Sequence, residues 1–178
     1  SMIVGPNRLI DPAPVTLNNE IINWVGKLKY LGVVLVSHSV FTIDISEVRR
    51  KFFIAANCIL NRCASVTDIV KLDMLERHCL PILLYSVEVL DLKTEQIREL
   101  NVCWNHVYRK IFGYHKWESV KELICFLGRL DIVYTVNLRH VLFLKTLAIS
   151  KNKCMQDLYY NAVRGSEIAN ICSMCKVQ

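Results

Sequence analysis

The chain has 178 residues, 53% of them hydrophobic, with only 6 Gly and 4 Pro. That composition excludes a disordered chain, a collagen-like fibre and a linker array, and the length suits about one to one and a half domains. With 22 Lys+Arg against 16 Asp+Glu the net charge is +6, which favours a polyanionic partner without identifying one.

Mean hydropathy is +0.29, high for a self-contained soluble domain. The longest apolar run, Cys79 to Leu90, is short and carries Pro81 and Glu88. No uncharged span of about 18 residues is read as able to cross a bilayer, so no membrane partner is expected. The surplus apolar surface is expected to be buried or to meet another surface, a second copy of the chain included. A piece of a longer protein has this composition. Ser1-Met2 reads as a remnant of expression, because no charged n-region or apolar h-region follows it.

In chain order, Met2 to Val4, Ile21 to Val25 and Lys29 to Val36 are short β-branched runs separated by Gly5-Pro6-Asn7, the Pro12/Pro14 loop and Gly26, and read as strands joined by turns. After Phe41 the period becomes helical. Ile45, Val48, Phe52, Ala55, Ala56, Ile59, Leu60 and Cys63 form one stripe from Asp44 onward, leaving Arg49, Arg50 and Arg62 on the other side. A second helical stretch covers about Thr67 to Leu90, with Pro81 kinking or interrupting it. A third runs from Thr94, read as its N-cap, to Gly113 as C-cap, with the stripe Ile97, Leu100, Trp104, Val107 and Ile111. A fourth is expected over Glu118 to Leu127, a fifth over Ile132 to Ile149 and a sixth over Met155 to Val163. The fold expected is therefore mainly α, with a small N-terminal antiparallel β-hairpin or sheet followed by a helical bundle. Three regions are expected: 1–40 as the β part, 41–128 as a helical domain and 129–178 as a helical connection with a Cys-x-x-Cys tail.

Charge is uneven. Residues 1–90 carry 9 Lys+Arg and 8 Asp+Glu, and residues 91–178 carry 13 and 8, so the second half is the better polyanion surface. Cys58, Cys63, Cys79, Cys103 and Cys125 lie in apolar stretches at irregular spacing, as small hydrophobes do, and an intracellular, reducing compartment is expected. Only Cys172-Ser173-Met174-Cys175 has metal-ligand spacing. Zinc there needs four ligands, and Cys154 and His140 are the only upstream candidates nearby; a frayed tail is the other reading.

Metal-dependent phosphoryl transfer needs converging carboxylates, yet the chain has no adjacent acidic pair. A P-loop, a dinucleotide-binding glycine fingerprint, a Ser nucleophile elbow and a His-Glu-x-x-His helix are also missing. His78-Cys79 is the only adjacent His/Cys pair, and helical neighbours diverge by about 100°, which argues against a thiolate dyad. No catalysis is expected from this segment alone.

Lys27-Leu28-Lys29-Tyr30-Leu31-Gly32-Val33, ahead of a long amphipathic helix, resembles the end of the reverse transcriptase domain of non-LTR (LINE-type) retrotransposons, whose "KYLG" strand belongs to the primer-grip hairpin between palm and thumb. Ile45 to Cys63 is similar to the first thumb helix. Leu80 to Glu88 is similar to the family's "P-x-L-L-Y-G-x-E" segment, and Tyr108-Arg109-Lys110-Ile111-Phe112-Gly113 to the basic, Gly-terminated helix that follows. The likeness covers roughly residues 2 to 150. Ser86 departs from it where Gly is usual, and Leu90 where an aromatic is common.

The resemblance implies a thumb that holds an RNA template–DNA primer duplex. The catalytic aspartates and their magnesium would lie in an upstream palm domain of the parent RNA-directed DNA polymerase, and the location would be nuclear. The nucleic-acid-binding candidates are Lys27, Lys29, Tyr30 and Gly32 on the hairpin, Arg49, Arg50 and Lys51 on the first helix, and Arg109, Lys110 and Lys116 around Gly113. Such groups suit contacts to the backbone of a near A-form duplex. Lys29 and Tyr30 point to opposite sides of a strand, and Tyr30 is read equally as core or contact. Lys110 to Trp117 mixes basic and aromatic residues, a composition that stacks bases, although packing of Phe112 and Trp117 under the loop is the preferred expectation. Trp24 and Trp104 are expected in the core, and His106 and His140 as hydrogen-bonded helix residues. The competing reading of the whole is a helical protein-interaction or dimerisation module.

Overall fold

The computed structural model describes residues 1–5 and 13–164; Cys172 and Cys175 lie outside the described residues. The chain divides into two compact units, Ser1–Lys51 and Phe52–Gln178. The fold is mainly α with a small antiparallel N-terminal β part, as expected from the sequence.

In the first unit β1 (Val15–Leu17) and β2 (Glu20–Ile22) form one hairpin, turned at Asn18 and Asn19 with φ 52° and 65°. β3 (Lys27–Tyr30), β4 (Val33–Val36) and β5 (Thr42–Asp44) form an antiparallel sheet in that order. The single strand expected over Lys29 to Val36 is instead folded back on itself at Leu31-Gly32. Both residues have positive φ, 45° and 82°, the conformation a two-residue type I′ turn requires. β5 was not anticipated, because Phe41 to Asp44 leads straight into the helical stripe. Met2 to Val4 does not form a strand; Gly5 N–H donates to the His38 carbonyl and Ser37 Oγ to the Ile3 carbonyl. Trp24, expected in the core, is 38% exposed.

α1 (Ser46–Arg62) follows, and then α2 (Asp68–His78) and α3 (Leu80–Leu83). The break between the last two falls at Cys79, with Pro81 in the first turn of α3, where its missing N–H costs no hydrogen bond. α4 (Thr94–Phe112) ends at Gly113 with φ 72°. Its N-cap is Lys93 rather than Thr94, and the Lys93 N–H is taken by Gln96 Oε1 at 2.9 Å. α5 (Lys121–Phe126), α6 (Ile132–Ile149) and α7 (Lys153–Arg164) complete the described chain.

The core of the second unit is built on α4, which packs against α2 and α6. Phe52, Leu72, Leu75, Leu83, Leu100, Trp104, Tyr108, Ile132 and Val136 are fully buried there. Trp104 stands edge-on to Tyr108 at 5.7 Å, and Tyr108 stacks on Phe112 at 6.3 Å. α6 has a mean hydropathy of 1.3 over 18 residues, long and apolar enough to cross a membrane by length and composition. Two of its polar side chains are tied to protein: Arg139 donates to the Leu84 carbonyl at 3.1 Å and the His140 Nε2–H to the Val87 carbonyl at 2.6 Å. Those two bonds clamp the turn after α3, where Ser86 has φ 58°. His140 is thus the hydrogen-bonded helix histidine expected, and that nitrogen is engaged.

Candidate nucleic-acid interface

The cations proposed for the hairpin do come together, but around acids. In antiparallel pairing opposed residues share a face, and Lys29↔Val34↔Asp44 and Lys27↔Val36 put both lysines on the face of Asp44. Lys27 Nζ sits 2.6 Å from Asp44 Oδ2, and Glu47 Oε1 accepts from Lys29 at 2.7 Å and Lys51 at 3.0 Å. The Lys27 hydrogen bond, with bonds to Ser46, holds the Asp44 carboxyl at about 2. Glu47 is likewise held at about 2, first by Lys29 and then by Lys51. Three of the expected phosphate contacts are therefore matched to carboxylates. Arg49 is half-buried and Arg50 exposed. Tyr30, left open between core and contact, is 63% exposed. Gly32 occupies the second turn position, where positive φ favours glycine.

The second unit differs. At the end of α4, Arg109 Nε donates to the Glu118 carbonyl at 2.9 Å, and Lys110 Nζ to Asn57 Oδ1, a neutral acceptor, at 2.8 Å. The Gly113–Ser119 loop is closed on itself: the His115 N–H donates to the Glu118 carboxylate, and the Glu118 N–H returns to the His115 carbonyl at 3.1 Å. His115 and Trp117 stack at 4.9 Å with their planes 3° apart. Packing of Trp117 under the loop is overturned, since the residue is 81% exposed. Phe112, expected under the loop as well, is half-buried and stacks on Tyr108 of its own helix. Turned outward by the Glu118 closure, the loop holds an aromatic platform beside Lys116, an exposed cation with no ion pair among the described residues.

Next to the loop lies a small polar pocket that the sequence reading missed. Asn101, Asn105 and Arg109, spaced four apart, form one wall from α4; Ser119 and Lys121 form another, and Asp131, N-cap of α6, closes it. The i, i+4, i+8 spacing was legible as one polar helix face, but nothing in the sequence placed the start of α5 against it.

Among the described residues no group of three His, Cys, Asp or Glu residues is arranged to hold a metal. The six described cysteines are free thiols. Cys79 and Cys103 are buried as expected, whereas Cys58 and Cys125 are exposed. Burial pushes the Cys79 thiol up to about 11, which makes it a poor nucleophile. No protein-family model, curated protein or solved structure matches the chain.

Proposed function

We propose that this chain is a non-catalytic nucleic-acid-binding segment that holds an RNA–DNA duplex, as the thumb side of a non-LTR retrotransposon reverse transcriptase would. The observation that carries the reading is the closed loop with its exposed Trp117 and Lys116, following Lys110 in the last turn of α4, a combination of ring and charge suited to an end or unpaired base and a phosphate strand. Two further features support the family: the Lys27-to-Gly32 hairpin precedes a long helix, and Ser86 takes a left-handed φ at the position where the resemblance has Gly. Bond formation, with its magnesium and acidic pair, belongs in this reading to an upstream palm domain.

The test is hybrid binding by fluorescence anisotropy across a salt series. Affinity is expected to fall steeply with salt, with Lys110→Ala and Lys116→Ala each lowering the slope by about 1. Trp117→Ala is expected to weaken binding by about 1–3 kcal/mol at an unchanged slope. Binding that ignores salt and both lysines removes the proposal.

A second reading rests on its own observation. Tyr134, Leu138 and Leu142, spaced four apart on α6, are 63%, 47% and 51% exposed, and Met155, Leu158 and Tyr160 of α7 are exposed as well. A protein-interaction or self-association face fits such a stripe. Light scattering across concentration checks it: a dimer that Leu138→Lys with Leu142→Lys converts to monomer favours this reading.

A further inference from the structure

The pocket between α4 and the start of α5 has a volume of about 210 Å³. That is below the roughly 300–1,000 Å³ that encloses a drug-sized ligand, so it suits one compact group. Its floor is apolar, from Val120 and Ile124, and its walls are polar. The side-chain oxygens of Asn101 and Asn105 are buried and have no hydrogen-bond partner. A buried acceptor left unpaired costs about 1–3 kcal/mol, and a ligand hydrogen would recover it. Asp131 is another acceptor, with its Oδ1 already taking the Tyr134 N–H at 2.9 Å. Donors are also present, in Arg109, Lys121 and the Ser119 hydroxyl.

The chemistry of these groups narrows the occupant. A phosphate brings no hydrogen for the two amide oxygens. A flat base wants an aromatic face, and the lining has none. A hydroxyl beside a phosphate meets both demands, since it donates to Asn and accepts from Ser or Arg, while Lys121 faces the anion. In a paired hybrid such a unit occurs only on the RNA strand, as the ribose 2′-hydroxyl next to the backbone. We infer that this pocket binds a ribose 2′-hydroxyl and its adjoining phosphate, so that the chain distinguishes the RNA strand of the duplex. The inference rests on the hybrid-binding reading above and adds which strand is recognised and by which atoms.

The experiment compares three ligands of one sequence: an RNA–DNA hybrid, the same hybrid with 2′-O-methyl RNA, and a DNA–DNA duplex. The methyl ether keeps A-form geometry, replaces the donated hydrogen by a methyl group and so removes the donor from the pocket. The unmodified hybrid is expected to bind about tenfold more tightly than the 2′-O-methyl hybrid. Asn101→Ala with Asn105→Ala is expected to erase that ratio while leaving the salt slope unchanged; Lys121→Ala is expected to lower the slope by about 1. Thermal melts of the Asn variants are expected at or above the parent, because an unpaired buried acceptor is removed. Equal affinity for the two hybrids, or a ratio that survives both Asn substitutions, overturns the inference and leaves hybrid binding standing. A parent chain that binds none of the three ligands overturns both.

Discussion

Single residues carry the clearest strain in this molecule. Ser86 and Leu31 hold φ of 58° and 45°, a region costing an L-residue about 1–2 kcal/mol relative to the right-handed one. Ser86→Gly is expected to raise stability by about 0.5–1 kcal/mol, read as a higher urea midpoint at unchanged m-value. Leu31→Asn, at a turn position that favours Asn, is expected to act in the same direction. Neither strain could be read locally, since Ser and Leu announce no left-handed turn; at Ser86 only the family resemblance pointed to Gly.

The ion pairs of the hairpin set a pH window. Asp44 falls from an ordinary 3.8 to about 2, with the Lys27 hydrogen bond the main cause, and Glu47 from 4.5 to about 2, with Lys29 first. A depressed carboxylate adds stability that is complete above its unfolded value and lost as pH drops through the folded one. Stability of residues 1–51 is therefore expected to hold down to about pH 5 and then decline toward pH 2, with Lys27→Met shallowing the decline. Two-dimensional NMR of the strand amides across that range measures it.

At the level of elements, periodicity was a good guide wherever one face is buried. α6 matches its expected span of Ile132 to Ile149, and α4 differs only in its cap. Trp104 is 1% exposed and touches Phe52 and Tyr108, so Trp104→Ala is expected to cost about 3–5 kcal/mol in denaturant unfolding. Short pieces were harder. β5 has three residues, and α3 four, lengths at which apolar pattern does not separate strand, helix and turn. The fold-back at Leu31 was hidden for a related reason: the β-branched run Val33 to Val36 follows Lys29-Tyr30-Leu31 with only Gly32 between them, and one long strand satisfies the same pattern.

Across the whole molecule the sequence located the excess charge better than its use. A net +6 is consistent with a polyanion partner, and in the second half Lys110 and Lys116 have no acidic partner among the described residues. The hairpin lysines were equally basic as letters; only the register that sets Asp44 beside Lys27, and the first turn of α1 that sets Glu47 beside Lys29, pairs them with acids. Glu47→Gln should consequently release Lys29 and Lys51 and steepen the salt dependence of hybrid binding by about 1–2. An unchanged slope would mean that this sheet does not meet the duplex. The pocket stayed hidden because it joins α4 to Ser119, Lys121 and Asp131, which are distant along the chain and carry no motif.

The reciprocal bonds between His115 and Glu118 have a kinetic corollary. A connection already fixed in its occupied shape gives up little freedom when a ring settles on Trp117. Encounter rates should then match those of a rigid body, and the His115 amide should exchange slowly with deuterated solvent. Glu118→Ala unfastens that closure; the amide should exchange faster and the complex should dissociate sooner, while the association rate stays nearly the same.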